Sequence, residues 1–176
     1  MQEPNVRHST RTRRLGGLLV LVALAVAAIG VLPSAADHGL PHVEPLARGT
    51  FTDDVAATIK VKLDGRRTHV RNLRDASDAM VLQITIAPGA HAPWHTHAGP
   101  GILVNAGPGT LTNVVADDCV PRDYGPGEAF VDPGHGSLHA ARNDSDHDVV
   151  LYAMFFGIAN GPVIPAPEPP DDCDPF

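Results

Sequence analysis

The sequence predicts an all-β fold, an antiparallel barrel or sandwich, and three observations carry that expectation. Short apolar runs alternate with polar residues at the two-residue period of a half-buried strand. Turn signals separate these runs at close intervals, and no segment after residue 36 sustains a 3.6-residue apolar period. Residues 80–86 show the alternation most clearly: Met80, Leu82, Ile84 and Ile86 face one way, with Val81, Gln83 and Thr85 opposite. Residues 55–63, 102–106, 110–116, 129–131, 138–142 and 149–156 supply further strands. Pro88-Gly89, Gly107-Pro108-Gly109, Gly125-Pro126-Gly127 and Pro133-Gly134 mark turns between them. Residues 64–78 are polar with four Arg and read as a solvated hairpin or loop. Residues 161–176 are rich in Pro and acidic side chains and cannot form a central strand, so an extended tail lying on the barrel is expected there.

At 176 residues the chain is long enough for one core and short for two. The expected organisation is a signal peptide or membrane anchor over 1–36, a barrel over 37–160 and a Pro-rich tail over 161–176. Arg7, Arg11, Arg13 and Arg14 precede an apolar run from Leu15 to Leu32 that carries no charge, and Ser34-Ala35-Ala36 offers small residues for cleavage before Asp37. Eighteen apolar residues also reach the lower limit of a membrane-spanning helix. Either reading puts the following domain outside the cytoplasm, secreted or anchored. Thr12-Arg13-Arg14 has the look of a loose twin-arginine signal.

The formal net charge is -7 for the whole chain. The basic first segment makes the remainder more acidic still, so nucleic acid and anionic lipid surfaces are excluded as partners, with membrane contact only through the N-terminal segment if it is uncleaved. The two cysteines, Cys119 and Cys173, read with export as a disulfide, the alternative being two buried thiols.

Nine of the ten His follow the basic segment, and two clusters matter. His95-Thr96-His97 places two imidazoles on one face of a strand. Residues 127–143 end in His139-Ala140-Ala141-Arg142-Asn143. Neutral imidazole is the commonest metal ligand, and three convergent nitrogens leave a coordination position open. Trp94 could line a pocket mouth or pack, Asn143 fixes a turn, Glu128 points to solvent, and Asp117-Asp118 is a turn pair.

Here the sequence resembles the cupin superfamily. Its first motif is matched by Gly89, five residues, His95-Thr96-His97, and by Gly107 closing the next strand; its second by Gly127, five residues, Pro133, then Gly136, His139, three residues and Asn143. One extra residue separates Pro133 from His139. The resemblance spans about residues 80 to 157 and implies a cupin jelly-roll barrel with His95, His97 and His139 binding one divalent transition metal, Fe, Cu, Zn, Mn or Ni. More narrowly, the chain is similar to exported single-domain bacterial cupins that end in Pro-rich, Cys-containing segments. Where the family usually has Glu, the chain reads Ala98-Gly99-Pro100-Gly101-Ile102, leaving three imidazoles unless His91 or His135 joins them. The resemblance implies a small-molecule site in the barrel and a dioxygenase-like oxidoreductase if the protein is an enzyme. The alternatives are a non-catalytic metal- or metabolite-binding module and an empty structural barrel. A small-molecule ligand, and optionally a second copy in a homodimer, complete the expected partners.

Overall fold

The structure, a computed structural model, describes residues 39–62, 65–73, 76–157, 164–166 and 173. The expected N-terminal signal or anchor, and most of the tail, lie outside the described residues. The described residues form twelve strands: β1 (His42–Thr50), β2 (Ala57–Val61), β3 (His69–Leu73), β4 (Asp78–Ile86), β5 (His91–Thr96), β6 (Gly101–Asn105), β7 (Leu111–Val115), β8 (Pro121–Tyr124), β9 (Ala129–Asp132), β10 (His139–Arg142), β11 (Val149–Phe156) and β12 (Ile164–Pro165).

Two five-stranded antiparallel sheets carry the fold, in the orders β1-β4-β11-β6-β9 and β12-β5-β10-β7-β8, and β2 and β3 pair as a separate hairpin. The alternation read from residues 80–86 is the pleat of β4. Met80, Leu82 and Ile86 are buried and meet Leu103, Leu151 and Phe155 of their own sheet and Leu111 and Ala141 of the other. The core therefore lies between the sheets, as strand period and apolar burial require.

The strands that alternation did not reveal have local reasons for silence. β1 is exposed along its whole length and contains Pro45. It is held by pairing to β4, with a register shift between Pro45 and Ala47 that accommodates the missing proline N–H. In β5 the register with β10 shifts between the pairs His139–His95 and Ala141–Ala92. This bulge at Pro93-Trp94 interrupts the period: Ala92 packs into the main core, whereas Trp94 joins Val114, Ala140 and Cys173 in a second cluster. The described residues of the tail, 164–166 and 173, do lie on the barrel. β12 pairs with β5 at the sheet edge, Ala166 N donates to Trp94 O (3.0 Å), and Cys173 is bonded to Cys119.

One expectation needs correction. Residues 64–78 do hold a hairpin strand, but that region is not simply solvated. His69, Leu73 and Asp78 are buried, and the Arg66 side chain is only 5% exposed. Arg67 and His69 both reach Asp117 at 2.8 Å, and Arg71 donates to the carbonyls of Pro133 (3.2 Å) and Gly134 (3.1 Å). Asp117-Asp118 is thus a turn and also the anchor of this hairpin.

Candidate metal centre

β5 and β10 are neighbours, and their register sets His139 directly across from His95. His97 follows the end of β5, its carbonyl accepting from His135 N (2.7 Å). One ligand nitrogen from each of His95, His97 and His139 lies within 4.8 Å of the others. The ring centroids are 4.2 Å apart for His95 and His139, and 5.0 and 5.1 Å from each of these to His97.

Which nitrogen faces the centre follows from the hydrogen bonds. His95 Nδ1 meets the Pro93 carbonyl (2.7 Å), and His139 Nδ1 meets the Ser137 carbonyl (3.0 Å). A carbonyl can only accept, so each Nδ1 carries the proton and each Nε2 keeps its lone pair. His97 Nδ1 donates to the buried carboxylate of Asp132. A second residue behind the ligand that fixes its tautomer and orientation is the arrangement metal-binding imidazoles require.

Burial, then the neighbouring charges of His139 and His97, push His95 down to about 3. Burial also lowers His139. Burial alone would raise Asp132, but the hydrogen bond from His97 and the charges of His139 and His97 hold it below the usual carboxylate range. The trio is therefore neutral near pH 7 at His95 and His139, the form that ligates.

The loop after β9 makes this possible. Gly134 has φ +61°, and a Cβ there would stand 2.3 Å from Gly99 O. Its N–H donates to Asp132 Oδ1 (2.9 Å). Only glycine allows this loop to approach the β5–β6 turn so closely and keep Asp132 behind His97.

His91 and His135 are not in the cluster formed among the described residues. The Ala98–Ile102 region, where the resemblance leads one to look for Glu, is filled by an aromatic ring. A Cβ on Gly101 would meet Phe155 Cδ1 and Cε1 at 2.5 Å, and that ring packs against His97 at a tilt of 49°, the centroids 4.4 Å apart. Asn143 is fully buried and fixes a turn, as expected, donating to the carbonyls of Ile86 and His147 at 2.8 Å each. Arg142 pairs with Asp144, and Glu128 Oε2 caps Gly125 N (2.7 Å).

Asp132, Phe155, Asn113 and Arg66 were not singled out in the sequence. Asp132 carried a local signal, since it directly precedes Pro133 of the second motif. The other three are brought to the site only by tertiary packing.

A cavity of about 70 Å³ opens inside the barrel against the three imidazoles, walled by Ile84, Leu103, Leu111, Phe130 and Leu151, with Asn113 as its other polar side chain. Outside it, an apolar hollow of about 250 Å³ includes Leu40, Trp94 and Pro165 and shares Pro41, Ala92 and His95 with the inner cavity. Trp94 thus both packs and lines a mouth.

Two antiparallel sheets closing over three inward imidazoles form a jelly-roll-type barrel, the fold that the cupin resemblance implies. No family model matches the chain, and no curated protein matches it. Among solved structures it is similar to a cupin-like protein from Thermotoga maritima (22% identity, TM-score 0.43), with 49% of this chain and 62% of that one covered. It is also similar to a cupin domain from Bordetella pertussis (19%, TM-score 0.39; 60% and 97% covered). A third is a polyketide cyclase from Streptomyces resistomycificus (19%, TM-score 0.41; 45% and 54% covered). The chain spans about half to two thirds of the first and third of these structures. What defines the class is this chain's own strand order and histidines.

Proposed function

We propose that the protein is an exported metal-binding cupin that holds one divalent transition metal through His95, His97 and His139 and takes a small ligand into its barrel. The observation that carries this is the set of three Nδ1–H groups, each engaged behind its ring, which leaves an Nε2 lone pair on each of three imidazoles whose ligand nitrogens gather within 4.8 Å. Three imidazole ligands suit Fe, Cu, Zn or Ni and bring no charge of their own to the ion, which favours an anionic ligand. With three protein ligands rather than four, a position stays open for that ligand.

When bound, such an ion would polarise a small molecule at its open position or exchange electrons with it. The chain's own part is to bind, orient and exclude water. Among the described residues, the lining of the inner cavity is apolar apart from the three imidazoles and Asn113. Such a lining suits chemistry carried by a bound metal, of which a dioxygenase-like oxidation is one form. The same apolar lining equally suits a module that binds a metabolite without turning it over. Export with residues 1–36 as signal or anchor fits the Cys119–Cys173 bridge, which an oxidising compartment favours.

Elemental analysis of the protein isolated from its exporting host tests the reading. About one transition metal per chain is expected, with most of it lost in His97→Ala. Full metal retention in all three single His→Ala variants would refute it. Oxygen consumption with candidate substrates then separates enzyme from binder.

A further inference from the structure

One buried cation beside the centre has no task in the reading above. Arg66 lies between β2 and β3 with its side chain 5% exposed, and neither Nε nor Nη2 has a hydrogen-bond partner. Leaving guanidinium donors unfilled in the interior is costly, so such a group is expected to meet an acceptor. Its nearest carboxylate, Asp118, stands 3.4 Å from Nε and is already gripped by Arg122 at 3.1 and 2.6 Å. Asp117 is taken by Arg67 and His69, and Asp132 by His97 and Gly134. In an acidic protein, this corner gathers Arg66, Arg67, Arg71 and Arg122 around three carboxylates of the described residues, Asp117, Asp118 and Asp132. Burial, and then the charge of Arg122, hold the Arg66 guanidinium below its usual range. An anion would relieve that.

Arg66 faces a small cavity of about 10 Å³ together with Tyr124, Ser137, Asn113 and His139. That is room for about one water-sized group. Asn113, Phe130 and His139 line the inner barrel cavity as well, so these side chains border both spaces. Asn113 Oδ1 is likewise buried without a partner, which sets an unfilled acceptor beside the unfilled donors.

We propose that Arg66 recognises an anion: the barrel accepts a small organic acid, one carboxylate oxygen entering the cavity at Arg66 while a short apolar body lies against Leu103, Leu111 and Leu151. Asn113 Oδ1 accepts from a hydroxyl or water beside the carboxylate. A chamber of about 70 Å³ limits the body to a few carbon atoms. Arginine fits the task because its planar fork matches a carboxylate. This rests on the reading of the barrel as a small-ligand site and does not need the metal.

The test titrates propionate into the full chain, once dialysed against EDTA and once reloaded with Zn(II), followed by ligand-observed NMR, with 1-propanol as the neutral control. Propionate is expected to bind both forms, at least tenfold tighter than propanol. Arg66→Met and Arg66→Gln should each weaken it at least tenfold. The glutamine variant retains a polar group facing Asp118 should the methionine one fail to fold. Binding within twofold of wild type in a folded variant, or no propionate binding in either form, overturns the proposal. A chain that holds no metal yet binds propionate through Arg66 overturns the metal reading and leaves this one standing. A metal-loaded chain indifferent to Arg66 does the reverse.

Discussion

Replacing Asp132 by Asn tests whether the residue behind His97 matters to a metal. The carboxylate is 4% exposed and accepts from two buried donors, His97 Nδ1–H and Gly134 N–H (2.9 Å). Asparagine keeps the shape but has one acceptor oxygen. If that oxygen faces His97, the amide NH2 opposes Gly134 N–H, and a buried donor left unpaired costs about 1–3 kcal/mol. If the NH2 faces His97, the ring must shift its proton to Nε2 and can no longer ligate. The variant also loses a negative charge that would offset the ion. Partners of this kind are worth about 10–100-fold in metal affinity, equivalent to about 1.4–2.7 kcal/mol at 1.36 kcal/mol per tenfold. Competition with a chromophoric chelator for Zn(II) at pH 7.5 measures this directly. If Asp132→Asn binds Zn(II) within twofold of wild type while His97→Ala does not bind, the orienting role assigned to Asp132 is wrong.

Three further outcomes are expected. His95 titrates in the folded protein at about 3, against about 6.5 for a free imidazole, and His139 is also lowered. Between those pH values the unfolded chain binds more protons, so stability of the metal-free protein should fall as pH drops through that window. Urea unfolding of the metal-free protein at stepped pH would show this; stability unchanged between pH 7 and pH 4 would contradict it. Gly101→Glu should not tighten metal binding, because its Cβ would already collide with Phe155. A loss of about 1–3 kcal/mol in urea unfolding is expected from such overpacking, and a well-folded variant with higher affinity would show that the ring yields. Cys119→Ser with Cys173→Ser opens a bridge spanning 54 residues and should remove up to about 4 kcal/mol. Limited proteolysis should cut the double variant first in the tail, and an unchanged digestion pattern would refute the strap.

The sequence by itself determined the sheet-forming segments whose two faces meet different surroundings. Met80–Ile86 alternates because one side of β4 meets the core and the other does not, and that difference is written residue by residue. The three imidazoles were legible too, His95 and His97 as a His-x-His pair on a strand and His139 through the resemblance of its turn-glycine motif to the cupin pattern. The edge position of β12 and the Cys pairing agree with what composition and an even Cys count led one to expect.

Tertiary structure alone decided what surrounds those imidazoles. β1 leaves no alternation to read, because its residues are exposed and backbone pairing holds it. The bulge at Pro93-Trp94 sends Trp94 outward while Ala92 stays inside, a change of face that no period predicts. The space where a fourth ligand was sought is filled by Phe155, over fifty residues away in the chain, and the Arg-rich segment read as solvated buries Arg66 beside His139. A side chain's neighbours across a sheet or between sheets are set by register and loop approach, here by Gly134 against Gly99. These are long-range distances, and residue order along the chain does not encode them in any local pattern.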